Sequence, residues 1–271
     1  MRKLRNSRNK QRILLISLSV PFTRGTFFVA ACSDDFSVAE KKLFCPSIES
    51  IFIGETGGML AELLDLFFPR YSLEGREGEW ITEQEWVRLR PCPFALHSHS
   101  LKNRGMPHVE LLCSAMMYNE DPLLRRAIHQ WKYGGVRAMD PIFTTLIQSS
   151  GSILPALERV FCPVPLHWTR KFSRGFNQAE VLAQALAASH DAEVSTILTR
   201  TRPTGHQAHR GGVERRQVMS GAFGIRARAP IPKRVVLVDD VCTTGATLEA
   251  AAEVLMNAGV EHVEAEVVAL D

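Results

Sequence analysis

Two hydrophobic periods alternate along the second half of the chain, and their order predicts a fold built from strands and helices. Apolar residues recur at helical spacing in 123–131, 177–189 and 246–257, and short apolar runs typical of buried strands occupy 159–165, 194–198, 233–238 and 262–270. Because these elements alternate, residues 116–271 are expected to form an α/β domain, with a parallel sheet flanked by helices. Ligands bind such sheets at the carboxyl ends of the strands.

Residues 1–58 show no usable period and are expected to form a poorly ordered extension, or to precede a natural start at Met59. A basic run without acids precedes the apolar stretch 13–20, an order that resembles a secretory signal. Pro21 and Arg24 interrupt the apolar residues, and nowhere do about 18 apolar residues follow one another. We therefore expect neither secretion nor a membrane span.

The composition is that of an ordinary globular protein, with 45% hydrophobic and 23% charged residues. These values exclude a mostly disordered chain, a collagen-like fibre and a coiled coil. Six scattered cysteines are too few for a disulfide scaffold, which favours a reducing compartment and a cytoplasmic location. The net charge of +3 comes from the basic run in the first twelve residues, so overall charge does not indicate a nucleic-acid partner.

Residues 59–115 are expected to form a small, loop-rich module that opens with a helix at 59–68, ended by Pro69. Such segments bury little core and are often held together by a metal. A structural zinc ion needs four ligands, usually supplied by paired cysteine knuckles. The candidates are at non-standard spacing: Cys92, Cys113, His97, His99 and His108. We therefore expect no zinc.

The clearest candidate chemistry lies in residues 235–247, VVLVDDVCTTGAT. A buried strand leads to Asp239 and Asp240, and because neighbours on a straight strand point to opposite faces, the chain is predicted to turn there. A hydroxyl-rich loop around Gly245 then opens a helix, whose unpaired first amides attract phosphate. The candidate phosphate-binding residues are Val241, Cys242, Thr243, Thr244, Gly245, Ala246 and Thr247. Carboxylates beside a phosphate site suit a phosphorylated ribose.

Other phosphate-binding loops do not match this stretch. A Walker loop requires Gly-Lys-Ser/Thr, and a dinucleotide fingerprint requires three spaced glycines. Residues 235–247 instead resemble the signature of type I phosphoribosyltransferases, which bind phosphoribosyl pyrophosphate (PRPP). The resemblance implies that Asp239 and Asp240 hold the ribose as catalytic residues, that residues 241–247 bind PRPP, and that Mg²⁺ arrives with PRPP.

Further motifs extend this resemblance to the ComF family, also called the competence protein F or GntX/ComFC-like family. They are WKYGG at 131–135, PVPL at 163–166, RGFNQAE at 174–180 and GAF at 221–223. Lys171 and Arg174 are candidate pyrophosphate ligands, since such side chains match its oxygens, although a solvated basic loop is the alternative. Lys132 is a candidate phosphate contact, or a lysine that extends to solvent at a helix end.

The chain departs from this family in its first module, which resembles a degenerate zinc finger. Ser72 stands where a cysteine would, residues 80–82 and Glu85 resemble a second knuckle without cysteines, and Cys92 retains one cysteine of a pair. Near 215–218 the family's asparagine is replaced by Gln217 or Val218. The expected organisation is therefore an extension at 1–58, a degenerate module at 59–115 and a phosphoribosyltransferase-like domain at 116–271.

The resemblance implies a role in DNA uptake, competence or the use of external DNA. The first hypothesis is transfer of phosphoribosyl to an unknown nitrogen acceptor, with the basic segment 199–220 as a closing loop. The alternative is a non-catalytic component that binds PRPP or single-stranded DNA, or that contacts DNA-uptake proteins. A third hypothesis is a pseudoenzyme that only mediates protein contacts. Trp168, Phe172 and Phe176 are the aromatics available for base stacking.

Overall fold

The structure of the protein is a computed structural model. It describes residues 70–119, 121–133, 136–151, 158–169, 172, 175–202, 219 and 221–271. The extension at 1–58 and the helix predicted at 59–68 lie outside the described residues.

Within the described residues, six strands form one sheet in the order β1-β2-β8-β7-β3-β4, and two more form a separate ribbon, β5-β6. The strands are β1 (Phe94–His97), β2 (Leu111–Met117), β3 (Val160–Pro163), β4 (Glu193–Val194), β5 (Leu198–Arg200), β6 (Phe223–Ile225), β7 (Arg234–Cys242) and β8 (His262–Leu270). The helices are α1 (Glu83–Arg88), α2 (Ser98–Asn103), α3 (Pro122–Tyr133), α4 (Asp140–Gly151), α5 (Gln178–Ser189) and α6 (Ala246–Asn257).

The sheet is parallel from β2 to β4, and only its edge strand β1 pairs antiparallel. Helices cover both faces, so the central strand β7 is apolar on both sides. Val236 and Val238 pack in a cluster with α3, α4 and α5, while Val235 and Leu237 pack in a second cluster with α2 and α6. The expected α/β class, with a mostly parallel sheet flanked by helices, is confirmed.

The predicted helices 123–131, 177–189 and 246–257 correspond to α3, α5 and α6. Asn177 caps α5 by accepting a hydrogen bond from the Ala179 amide at 3.2 Å, the structural role that asparagine favours at a helix start. The strands predicted at 159–165 and 262–270 match β3 and β8. Strand β2, which sequence analysis missed, pairs with β8 through an apolar run that includes Leu111 and Leu112.

The single strand predicted at 194–198 is wrong, because the chain changes partners within it. Val194 ends the short edge strand β4, and the Ser195 amide donates to the Phe161 carbonyl at 2.8 Å. The chain then leaves the main sheet, and Leu198 begins β5, which pairs antiparallel with β6. An apolar run does not reveal such a change of partner.

A buried carboxylate holds the loop between Arg70 and α1. Glu85, only 1% exposed, accepts hydrogen bonds from the Ser72 hydroxyl at 2.9 Å and from the amides of Glu74 and Thr82 at 2.7 Å each. Thr82 caps α1 in return, by accepting from the Glu85 amide at 3.2 Å. Burial opposes ionisation of Glu85, but these hydrogen bonds outweigh it and lower its pKa.

Ser72 and Glu85 occupy positions where the family resemblance suggests zinc-finger knuckles. In this structure the Ser72 hydroxyl donates a hydrogen bond to Glu85. A hydroxyl and a carboxylate engaged in this way do not supply the thiolates of a structural zinc site. Among the described residues, no three histidine, cysteine or acidic side chains lie close enough to hold a metal ion. The zinc-finger-like nature of the module remains a prediction.

We expect Glu85→Ala to destabilise the protein by about 1–3 kcal/mol at pH 7, because the buried Ser72 hydroxyl and the part-buried amides of Glu74 and Thr82 lose their acceptor. The lowered pKa means that this contribution is present above the unfolded-state pKa of about 4.3 and disappears as the pH falls. Urea unfolding at pH 7 and near pH 3.5 should show the difference from wild type shrinking in acid. The exposed Glu83→Ala in the same helix is the control, and an equal loss at both pH values would contradict the assignment.

Candidate functional site

A pocket forms at the carboxyl edge of the sheet, where β7 passes into α6. It is lined by Asp239 and by residues 241–248. All seven residues proposed from the sequence as phosphate ligands, 241–247, therefore line one pocket together with the first acid of the pair. The loop between strand and helix, 243–245, is only three residues long, so the first turn of α6 lies directly beside the strand end.

Gly245 provides the turn that makes the pocket concave. It lies at the N-cap of α6 with a left-handed φ of 73°, and no side chain of its own caps the helix. The amides of the first helical turn therefore face the pocket side of the loop with a positive partial charge, which suits an anion. Position 245 also has no room for a side chain, because an added Cβ would come within 3 Å of three side-chain atoms of Met106.

The segment that carries Met106 packs against the loop from outside the pocket. Met106 is fully buried, and the nearby His108 Nδ1 lies 2.5 Å from Glu249 Oε1 in the first turn of α6. Arg104 donates to the backbone carbonyl of Asp271. Sequence analysis missed this support, and the sequence offered no local signal for it, because His108 and Glu249 are 141 residues apart.

The two acids point to opposite faces of the sheet, because β7 does not turn between them. The strand pairs with β8 as far as Cys242, so the predicted turn at the acid pair is wrong. Asp239 lines the pocket, whereas Asp240 is 7% exposed and places its Oδ1 2.8 Å from Lys132 Nζ on α3. The Asp240 amide donates to Asp239 Oδ1 at 2.9 Å, which fixes the first carboxylate against the strand.

The electrostatic environment makes Asp239 unusually easy to protonate. Burial and the neighbouring Asp240 charge raise the pKa of Asp239, while Lys132 and Arg200 act in the opposite direction. A carboxyl group in this position can accept hydrogen bonds from ligand hydroxyls and, when protonated, donate one. Arg200 belongs to β5, so the β5-β6 ribbon contributes positive charge to the site.

The comparisons with known proteins agree with this geometry. The family model "Phosphoribosyl transferase domain" matches residues 152–271, which include the whole pocket. Competence protein F of Haemophilus influenzae is 37% identical over 111 residues, 40% of this chain and 48% of that protein. DNA utilization protein YhgH of Escherichia coli is 33% identical over 153 residues, which are 53% of this chain and 65% of that protein. This chain is similar to the competence and DNA utilization proteins of the ComF family, and its residues 152–271 match a phosphoribosyltransferase domain.

Two further matches are a third competence relative and a solved phosphoribosyltransferase structure. Competence protein ComFC of Streptococcus pneumoniae is 28% identical over 135 residues, 50% of this chain and 58% of that protein. The chain thus spans about half to two thirds of the length of these relatives. A solved adenine phosphoribosyltransferase from Leishmania donovani aligns at 14% identity over 58% of this chain and 69% of that chain, but its TM-score of 0.30 is too low to support an argument.

The remaining residues proposed from the ComF motifs are placed differently. Lys132 meets Asp240 instead of lining the pocket, and Lys171 and Arg174 lie outside the described residues. Cys242 is 3% exposed, and burial raises the pKa of its thiol to about 12, so it is not a thiolate nucleophile. No helix among the described parts of the chain is long and apolar enough to cross a membrane.

We expect Gly245→Ala to remove ligand binding at the pocket and to destabilise the fold by more than the roughly 1–2 kcal/mol cost of a left-handed alanine. The reason is that the new Cβ also clashes with Met106. The control is Gly75→Ala, which has a φ of 88° and no neighbour within 4 Å, so it isolates the conformational cost. Urea unfolding measures both variants, and equal losses would show that the Met106 contact is unimportant.

Proposed function

We propose that this protein binds PRPP together with Mg²⁺ and acts in DNA uptake or the use of external DNA. The observation that supports PRPP as ligand is the junction of β7 and α6. It combines an acid at a strand end, a three-residue loop with a left-handed glycine, and open helix amides within one pocket. A ligand with both a phosphate and neighbouring hydroxyls matches this combination.

In this proposal the ribose 5-phosphate lies on the amides of the loop and the first turn of α6. Thr243, Thr244 and Thr247 add hydroxyl donors to the same pocket. Asp239 faces the pocket and accepts hydrogen bonds from the ribose hydroxyls. Mg²⁺ would be held mainly by oxygens of PRPP, and it would neutralise charge on the pyrophosphate group. Lys171 and Arg174 are proposed pyrophosphate ligands on the basis of their motif alone.

The proposed reaction is transfer of the phosphoribosyl group to a nitrogen acceptor. The acceptor nitrogen forms a bond to C1 of the ribose, the bond between C1 and the pyrophosphate oxygen breaks, and the nitrogen loses its proton to solvent. Positive charge develops on the ribose as the leaving group departs. Negative charge on Asp239 stabilises the ribose at this stage. No described residue identifies the acceptor.

We expect calorimetric titration with PRPP and Mg²⁺ to show binding by the wild type. An Asp239→Asn/Asp240→Asn double variant should lose more than about tenfold in affinity, because charge-assisted hydrogen bonds to the ribose are removed. Glu261→Gln, an acid exposed at the opposite edge of the sheet, is the control and should bind like wild type. A folded wild type that does not bind PRPP would overturn this proposal.

A second candidate function is binding of single-stranded DNA without catalysis, and two exposed aromatic residues favour it. Trp168 is 72% exposed and Phe172 is 89% exposed, and both follow the carboxyl end of β3, the neighbour of β7. Phe176, the third aromatic considered from the sequence, is only 8% exposed and packs in the core. The names of the relatives, competence protein and DNA utilization protein, agree with a DNA-linked role.

We expect Trp168→Ala/Phe172→Ala to weaken binding of a fluorescent single-stranded oligonucleotide by about tenfold or more, if these rings stack on bases. PRPP affinity should not change. Tyr71→Ala, which removes a 45% exposed aromatic from the first module, is the control. Pyrophosphate release on adding candidate nitrogen bases would favour the transferase, whereas salt-sensitive DNA binding without release would favour the second function.

A further inference from the structure

Lys132 and Asp240 form a buried ion pair at the margin of the pocket. Their charged atoms are 2.8 Å apart, and the two side chains are 17% and 10% exposed. The pair between Lys233 and Glu261, by contrast, is 83% and 55% exposed and lies on the surface. A lysine this enclosed loses much of its hydration, so its contact with Asp240 compensates for a real cost.

The backbone around Lys132 is held on two sides, so the position of its ammonium group is not accidental. The adjacent Trp131 is fully buried, stacks on Phe143 at 4.1 Å between ring centroids, and donates from Nε1 to Asp140 at 2.8 Å. Earlier in α3, Arg126 donates to the Leu73 carbonyl at 3.3 Å. The helix that carries Lys132 is therefore fixed both by the core and by the first module.

We propose that Lys132 is a positioning residue, which holds the Asp240 carboxylate against α3 so that the adjacent Asp239 stays in place in the pocket to receive the ribose of PRPP. This inference rests on the proposed function. It differs from the sequence-based expectation that Lys132 contacts phosphate, because its ammonium group is engaged with Asp240 and neither residue lines the pocket.

The charges around the acid pair explain why such a residue is needed. Asp239 and Asp240 are adjacent carboxylates, and the charge of Asp240 opposes ionisation of Asp239 by raising its pKa. The cations that act on Asp239 are Lys132 from α3 and Arg200 from β5, and the nearby Cys242 thiol is neutral. Without Lys132, Arg200 would be the remaining one of these two cations near Asp239, and a higher pH would be needed to ionise Asp239.

We expect Lys132→Met to weaken binding of PRPP with Mg²⁺ by about tenfold or more at pH 7, and to move the midpoint of the affinity–pH profile to higher pH relative to wild type. Lys132→Arg retains the charge and should recover most of the affinity. Lys233→Met removes a lysine from a surface pair and should change neither quantity. An unshifted profile in Lys132→Met would overturn the proposal.

A double-mutant cycle with Asp240→Asn separates positioning from direct phosphate contact. If Lys132 acts through Asp240, Lys132→Met/Asp240→Asn should bind PRPP no more weakly than Asp240→Asn alone. Additive losses would show that Lys132 contacts the ligand itself, which would overturn the proposal.

A readout without ligand keeps this test independent of PRPP binding. Titration of the side-chain carboxyl ¹³C shift of Asp239 in the free protein should show a higher apparent pKa in Lys132→Met, or in Lys132→Gln if the methionine variant does not fold. An unchanged titration would refute the role of Lys132. Failure of the wild type to bind PRPP, with the titration shifted as expected, would instead refute the proposed function alone.

Discussion

The left-handed turn at Gly245 is the constraint on which the site depends. It allows β7 to pass into α6 within three residues, so the positive end of the helix lies beside the acid at the end of the strand. A longer or flatter connection would separate the anion-binding amides from Asp239. The turn is also enclosed, because Met106 fills the space on its other side. The pocket is therefore shaped by a segment more than one hundred residues earlier in the chain.

The period of a β-strand divides the two acids between two environments. Asp239 lines the pocket, whereas Asp240 contacts Lys132 on α3. Because the strand is continuous, Asp240 lies in the interior of the protein. Lys132, at the end of α3, supplies the positive charge that compensates for it. The same charge also opposes the rise in the pKa of Asp239, so one ion pair affects both carboxylates.

The part of the chain before α3 connects to the site through two different contacts. Its Glu85 network organises the loop around Ser72, and α3 bonds to that loop through Arg126. Its later segment contacts the start of α6 through Met106 and His108. This part of the chain thus borders both the helix that carries Lys132 and the loop that forms the pocket.

The sequence by itself determined the α/β class, the helices α3, α5 and α6, and the strand–loop–helix stretch around Asp239 and Gly245. These features depend on local periodicity and on glycine's tolerance of a left-handed φ, both of which can be read from neighbouring residues. Only the tertiary structure decided that β7 continues through the acids, that the chain changes sheets after Val194, and that Lys132 meets Asp240. Strand length and side-chain partners depend on pairing and packing between segments distant in sequence, and local pattern carries no record of those contacts.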